Sequence, residues 1–260
     1  MYAFITGATS GIGKEMALLL AKDGYNLILT ARNEAQLKLL KTQLTKAYHI
    51  DVIIHPMDLT ELVSGADMEG TSQTTQALLK LLNSHPPYIS ILSAGAGIVG
   101  DFCNASFSSE KNILELNIVS IVVLNHILLD IMPEGYLMNI GSIAGFQPAP
   151  FQAIYAASKA FVNTFTLSIQ KELKHTGHLV NISLLAPGPV ATDFDRRAGV
   201  TTARSGMSPQ KCAKRALKQM FAGKKLIFPS TITRLAYYAS KFLPLSLITH
   251  LELYIQKKKL

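Results

Sequence analysis

The sequence predicts an open, doubly wound α/β fold in a single domain, and three observations carry that expectation. Near the start, an apolar run at residues 2–5 passes directly into Thr6-Gly7-Ala8-Thr9-Ser10-Gly11-Ile12-Gly13, followed by a helical pattern with Met16, Leu19 and Leu20 on one face. Runs with strand character then alternate with helical patterns along the chain, the signature of βαβ units around a parallel sheet. Finally, the buried run 179–185 ends in Ala186-Pro187-Gly188-Pro189. Two prolines around a glycine make a rigid turn at a strand's carboxyl end, the edge where open α/β sheets bind ligands.

The chain length of 260 residues allows one large domain with a substantial core. Apolar residues make up 48% and charged residues only 16%, which suits a well-buried globular enzyme and excludes a disordered chain. The formal net charge of +8 is uneven, with Lys and Arg gathered at Arg196, Arg197 and Arg204, at 211–225 and at Lys257-Lys258-Lys259. Such an excess suits nucleic acid, an anionic membrane surface or an anionic ligand. With no aromatic-interleaved basic stripe and no nucleic-acid module, nucleic acid ranks last. Cys103 and Cys212 match no metal spacing and read as reduced thiols of a cytoplasmic protein. No signal peptide is expected before a strand that starts at Tyr2, and no uninterrupted apolar run reaches the roughly 18 residues of a spanning helix.

In order, the first strand, glycine turn and helix lead through Gly24 to a second strand at 27–30. Small residues in the first turn let the backbone approach a diphosphate, and a helix N-terminus offers free N–H groups and a positive dipole. The spacing Gly-x3-Gly-x-Gly departs from Gly-x-Gly-x-x-Gly, and glycines after a strand can also merely turn the chain. The tip of the second strand reads Ala31-Arg32-Asn33 with no acid. An arginine there suits the 2′-phosphate of NADP, where an acid would suit NAD, so Arg32 points to NADP(H) over NAD(H), with Lys14 as a second cation. A solvated surface charge is the alternative reading of Arg32.

A helix over 34–47 precedes a strand at 52–54 and then Asp58, which either accepts a bond from an adenine amino group or caps the next segment. Residues 60–75 read as a loop or weak helix start. Helix 74–83, strand 89–92 and a second small-residue turn, Ser93-Ala94-Gly95-Ala96-Gly97, follow. Helix 110–131 carries Asn117, which taken alone is more often a satisfied core amide than a catalytic group. Strand 137–140 ends at Gly141-Ser142, helix 152–175 carries Tyr155 and Lys159, and after strand 179–185 the polar, basic stretch 193–208 reads as a mobile lid. Helix 208–222 and strand 226–228 complete the pattern.

Tyr155 and Lys159, at i and i+4, share one helix face. An ammonium held there favours the phenolate and pulls the tyrosine down from about 10 toward working pH. Ser142, just after a strand, can return to the same cavity as a hydroxyl donor. A tuned phenol, a cation and a hydroxyl around one cavity make a proton-transfer site.

With these residues laid out, the chain resembles the classical short-chain dehydrogenases/reductases over roughly residues 1–230. Thr6-Gly7-x3-Gly11-Ile12-Gly13 looks like the family's TGxxxGIG turn, and Asp58 matches its adenine-contacting acid. Ala94-Gly95 matches the end of its NNAG motif, Asn117 its helix-borne asparagine, Ser142, Tyr155 and Lys159 its serine and YxxxK pair, and Pro187-Gly188 its PG turn. In one departure, NNAG reads Leu92-Ser93-Ala94-Gly95, without either asparagine. An adjusted and active site is expected, since serine supplies part of the hydrogen bonding.

The resemblance implies a single Rossmann-type domain with a largely parallel sheet of about seven strands, spanning 1–230, and a C-terminal amphipathic extension at 231–260. It implies hydride transfer between nicotinamide and a carbonyl or secondary alcohol. Tyr155 would be the general acid/base, Ser142 would polarise the substrate oxygen, Lys159 would tune Tyr155 and bind ribose, and Asn117 would hold a proton-relay water. The implied cofactor contacts are Gly7, Thr9, Ser10, Gly11, Ile12, Gly13, Arg32, Asn33, Asp58, Leu59, Ala94, Gly95, Tyr155, Lys159, Pro187, Gly188, Val190 and Thr192, with no metal. A homodimer or homotetramer is the implied assembly. The rival reading is a regulatory or scaffolding protein that binds cofactor without turnover.

The expected substrate pocket is formed by 95–100, 143–152 and the lid. Its apolar members Ile98, Val99, Phe146 and Phe151 suggest a hydrophobic carbonyl compound, while Arg196, Arg197 and Arg204 leave room for an anionic group. In the tail, Pro244 separates two helical segments, and Leu247, Ile248, Leu251, Tyr254 and Ile255 form an apolar stripe. The stripe is expected to close the substrate pocket or pack on a second subunit; contact with an anionic membrane surface and binding of a long-chain substrate are the alternatives.

Overall fold

A computed structural model describes residues 1–62, 72–200 and 206–257. Seven strands form one parallel sheet in the order β3-β2-β1-β4-β5-β6-β7, with β1 Tyr2–Thr6, β2 Asn26–Ala31, β3 Val52–Pro56, β4 Pro87–Leu92, β5 Glu134–Ile140, β6 Leu179–Leu185 and β7 Leu226–Ile227. Both faces are covered, so the strands read as nearly continuous apolar runs instead of alternating with polar residues. The period of two still operates between the faces. Ala3, Ile5, Leu27 and Leu29 enter a core cluster with α1 (Gly11–Lys22), α2 (Glu34–Tyr48) and α8 (Pro209–Phe221), while Phe4 and Ile28 enter the opposite one. That second cluster holds Leu78 and Leu82 of α3 (Gln73–Ser84), Ile121, Leu124 and Leu128 of α5 (Ser120–Ile131), and Val162 of α6 (Ala153–Thr176).

Helix ends follow local chemistry. Asn33 accepts the Gln36 N–H at 3.0 Å to cap α2, and Ser208 precedes Pro209 at the start of α8. The 24-residue α6 stops at Gly177, which takes the left-handed conformation (φ 74°) that closes a helix. Residues 59–62 form a 3₁₀ turn and Ser72 caps α3; most of the expected loop at 60–75 lies outside the described residues.

Two expectations are revised. The expected helix at 110–131 begins at Phe107, as α4 (Phe107–Leu114), and runs into α5 through a π-helical turn at Glu115–Val119. This extra residue in the turn places Asn117 inward, a distortion that helical periodicity does not reveal. The whole run Phe107–Ile131, 25 residues, is long and apolar enough to cross a bilayer by length and composition, although polar and charged residues interrupt it throughout, so that it holds no uninterrupted apolar run of spanning length. Its inner side lies in the core.

The tail forms α9 (Thr231–Ser240) and α10 (Leu245–Lys257) on either side of Pro244. Of its apolar stripe only Ile248 is buried, and the inward face of α10 is Ile248, Glu252 and Gln256. Glu252 accepts hydrogen bonds from Gln147 and Gln256, so a polar contact at spacing i, i+4, i+8 sets the helix rotation and turns Leu247 and Leu251 outward.

Between β1 and β4 the order of connection reverses, and this is where a crevice opens at the carboxyl ends of the strands. A different glycine gives the sharpest test of the sheet itself. Gly135, the second residue of β5, has φ 119°, and a Cβ there would lie 2.1 Å from the Tyr88 carbonyl oxygen of β4. Gly24 also has positive φ (83°) but faces open space. Gly135→Ala is expected to cost on the order of 3 kcal/mol, and Gly24→Ala about 1 kcal/mol, as read by urea denaturation. Equal losses would show that strand contact adds nothing at Gly135.

Candidate active site

The crevice is built where two βα turns meet. Gly7 (φ 65°) packs so closely on the second turn that a Cβ would stand 2.9 Å from the Ala94 backbone, and the Ala94 N–H donates to Thr6 Oγ1 at 3.1 Å. Across the turn, a Cβ on Gly13 would lie 2.6 Å from the Gly7 carbonyl oxygen and 3.0 Å from Ser93 Oγ. Ser93, standing where the family pattern has asparagine, thus fills the space beside the first turn. Ser10 begins α1 without a side-chain cap, and the first turn of α1 contains no acid. The N-terminal N–H groups and the positive end of the helix dipole are left for an anion, so this cradle fits a dinucleotide diphosphate.

Thr192 and Arg197, reached by the chain after β6, come back over this cradle. A Cβ on Gly11 (φ 56°) would lie 3.3 Å from the Thr192 methyl group, and Arg197 donates to Ser10 Oγ at 3.4 Å. Thr192 also accepts the Phe194 N–H at 3.2 Å, starting the short helix α7 (Asp193–Arg197). Ala198 accepts the Val99 N–H at 2.8 Å, and Met207 is bonded to both Pro189 and Ala191. The described ends of the expected lid are therefore tied to both walls of the crevice; Arg204 lies outside the described residues. Val190 bridges to Met207, and Gly188 packs on Thr233 of α9, whose hydroxyl would stand 2.6 Å from an added Cβ.

At the outer end of β2, Arg32 is exposed and pairs with Asp58 at 3.7 Å. The other Asp58 oxygen accepts from Thr60 N–H (3.1 Å) and Oγ1 (3.0 Å), the capping arrangement, with Leu59 buried beside it. Asn33 is engaged in capping α2.

Ser142, Tyr155 and Lys159 are held by a set of contacts between β5 and α6. The Asn163 side chain donates to the Ser142 carbonyl at 2.9 Å and accepts its N–H at 3.4 Å. Gly141 makes room, since a Cβ there would overlap Asn163 Oδ1, and Gly145 lies against the Lys159 backbone. Ser142 Oγ accepts the Ala144 N–H at 3.1 Å, which leaves its own proton to be donated. Lys159 is buried and donates to the Ile140 carbonyl at 2.9 Å; loss of hydration lowers its pKa from 10.5 to about 8. Gly95 approaches it from the opposite wall, where a Cβ would stand 3.4 Å from Nζ.

Asn117 spans the remaining gap. Its amide oxygen accepts from Ala96 N–H at 3.0 Å, and its amide group donates to the Ala96 carbonyl at 2.8 Å and to Ser158 Oγ at 2.9 Å. Both N–H bonds are committed, the satisfied-amide arrangement, and they join the 93–97 turn to α6. The Tyr155 ring packs against Phe194 with centroids 5.4 Å apart, and Gly97 leaves space for both rings.

A cavity of about 180 Å³ opens beside this cluster, lined by Ile98, Val99, Phe102, Glu110 and Phe151 among others. An open groove of about 600 Å³ runs along Gly145–Pro150 and the alanines of α6. Phe146, which lines that groove, also joins an aromatic cluster, its ring centroid 4.6 Å from Tyr237 and 6.3 Å from Phe228. Three residues at this site were missed from sequence, Asn163, Ser158 and Phe194, while Arg197, expected beside the substrate, is bonded to Ser10 of the glycine turn. Asn163 had a readable signal, since it continues the Tyr155, Lys159 spacing by one more turn. The others depend on how distant segments meet.

An open parallel sheet with a phosphate-fitting turn at its switch point, and a serine, tyrosine and lysine at the next strand end, defines a dinucleotide-dependent oxidoreductase site. The chain belongs to the short chain dehydrogenase family, whose model matches residues 1–202. As a member of that family it is an oxidoreductase.

An uncharacterized oxidoreductase of Staphylococcus aureus is 31% identical over 83% of this chain and 88% of its own length. Sulfoacetaldehyde reductase of Chromohalobacter salexigens is 32% identical over 74% of this chain and 73% of its own. Very-long-chain 3-oxoacyl-CoA reductase of Laccaria bicolor is 29% identical over 66% of this chain, which spans only 50% of that relative. Among solved structures, a short-chain dehydrogenase from Sphingobium yanoikuyae in complex with NADPH superposes with TM-score 0.79 at 24% identity, covering 92% of each chain. One from Burkholderia phymatum in complex with NAD gives 0.78 at 22% identity, covering 91% of each.

The depressed Lys159 pKa has a measurable consequence. Below about pH 8 the side chain is charged in both folded and unfolded chains, and burying that charge opposes folding by on the order of 3 kcal/mol. Between about 8 and 10.5 the unfolded chain holds the extra proton, so this cost is relieved as pH rises. Thermal melts are expected to show wild type gaining stability relative to Lys159→Met across that window. A constant difference between the two would contradict the burial of a charged lysine.

Proposed function

We propose that this protein interconverts a carbonyl and a secondary alcohol on a hydrophobic substrate, with NADP(H) preferred over NAD(H). The observation that carries this reading is the clasp of Asn163 on Ser142 beside the buried Lys159 ammonium, which sits on the Ile140 carbonyl at the same strand end, one helical turn from Tyr155. The bound nicotinamide supplies or receives the hydride.

In the reducing direction Ser142 donates its free proton in a hydrogen bond to the substrate oxygen, drawing electron density from the carbonyl carbon. Tyr155 then gives its phenolic proton to that oxygen, and Lys159 stabilises the phenolate that results. Below about pH 8 the buried Lys159 carries the charge that this task needs, and its bond to the Ile140 carbonyl holds it in place. Asn117 positions the 93–97 turn against α6, and Phe194 excludes water from above the Tyr155 ring.

Gly7, Gly11 and Gly13 with the free N–H groups of α1 receive the diphosphate, and Arg197, already bonded to Ser10, adds a cation to the same place. Support for NADP(H) lies at the tip of β2. Arg32 is exposed, no acid precedes it on the strand, and its 3.7 Å pairing with Asp58 is a surface contact worth at most about 1 kcal/mol, readily exchanged for a phosphate. The apolar cavity lined by Ile98, Val99, Phe102 and Phe151 supports a hydrophobic substrate, and the named activities of two relatives, both reductases, support a carbonyl as its reacting group.

Two variants test this. Tyr155→Phe is expected to keep NADPH binding, by fluorescence titration, while turnover over a panel of ketones falls by about 100-fold or more. A near-normal rate would remove Tyr155 from the chemistry. Arg32→Asp is expected to raise the Kd for NADPH by about tenfold or more with little change for NADH. Equal changes for the two cofactors would show that Arg32 does not read the 2′-phosphate.

A further inference from the structure

The two C-terminal helices are fastened to the active site by their inner sides and leave apolar, basic outer sides at the surface. On α9, Thr233 packs on Gly188 of the Pro187-Gly188 turn, and Tyr237 lies among Phe146 and Phe228. Opposite these, Ile232 is 79% exposed and Leu235 63%. The link between the helices carries Phe242 at 88% exposed, and α10 begins with Leu245 at 63%. Farther along α10, Leu247 and Leu251 face away from the buried Ile248 and the Glu252–Gln147 contact. Isolated exposed apolar residues are ordinary, but this many in consecutive helices mark an interaction surface.

The charges identify the occupant. Arg234, Lys241 and Lys257 are exposed on this segment, with Lys241 lying 5.1 Å over the Tyr237 ring. Among the described residues of 231–257 the only acid is Glu252, and its carboxylate is turned inward to Gln147 and Gln256. The outer surface therefore combines large apolar side chains with cations and no anion. A second copy of the chain would bring cations against cations, whereas an anionic lipid headgroup region complements both features.

We propose that α9, the 241–244 link and α10 bind the surface of an anionic lipid bilayer, with Phe242 and Leu245 entering the headgroup–acyl boundary. The inner contacts of the same helices then hold the mouth of the catalytic crevice close to that surface. Binding does not depend on turnover, so it can fail or succeed independently of the proposed reaction.

The test is flotation of the full chain with phosphatidylcholine vesicles that contain phosphatidylserine, beside pure phosphatidylcholine vesicles, with sedimentation velocity in parallel. Wild type is expected to float with the anionic vesicles, less so as salt is added, each cation near the surface contributing about fivefold. Phe242→Ser combined with Leu245→Ser should reduce partitioning about tenfold or more, with unchanged melting temperature and sedimentation coefficient. Absence of wild-type flotation, equal flotation of the double variant, or a switch from oligomer to monomer in that variant would each overturn the proposal; the last would assign the surface to a second copy.

Discussion

The arrangement of the site depends on one buried side-chain contact, the two hydrogen bonds between Asn163 and the backbone of Ser142. Parallel strands end in loops that would otherwise place a terminal serine in many positions, and helix α6 could slide along the sheet by a fraction of a turn. Asn163 removes both freedoms together, because one amide satisfies the N–H and the carbonyl of the same residue. Gly141 and Gly145 are the matching half of the contact, since any side chain at either would separate strand from helix. Once α6 is fixed, Tyr155 and Lys159 follow from helical spacing alone.

The same helix is fixed from two further directions. Deep in the core, Asn139 of β5 exchanges hydrogen bonds with Asn125 of α5 and donates to Thr166 of α6, so a polar chain crosses an otherwise apolar layer. Nearer the crevice, Asn117 bonds Ser158 and the Ala96 backbone. Leaving any of these amides unpaired would cost about 1–3 kcal/mol, which makes each a strong constraint on register. The edge that carries Ser142, Tyr155 and Lys159 is thus positioned by asparagines, while apolar packing supplies most of the driving force for folding.

The glycine cradle shows how a departure from the family pattern is absorbed. Ser93 is too short to span the distance an asparagine side chain covers, yet its Oγ lies against the Gly13 side of the turn, and Thr6 holds the neighbouring Ala94 N–H. The close approach of Gly7 to Ala94 keeps the two turns together through backbone contact. Small residues on both sides do what the longer side chain would otherwise do, and the crevice keeps its shape.

Most of the architecture was legible in the sequence because strands buried on both faces and helices buried on one leave simple periodic patterns. The order of elements, the glycine turn, the Pro187-Gly188 turn and the pairing of Tyr155 with Lys159 all follow from local spacing. Where the local pattern was ambiguous the reading slipped: the π turn that rotates Asn117 inward has no apolar period of its own, and the phase of α10 is set by Glu252 meeting Gln147, 105 residues away in the chain. Phe194 over Tyr155 and Arg197 at Ser10 were likewise decided only in three dimensions, because they join segments brought together by the sheet. Local sequence determines which backbone each segment adopts and which side faces inward. Contacts between distant segments set how far each helix turns and slides, since those are satisfied by partners that no local window contains.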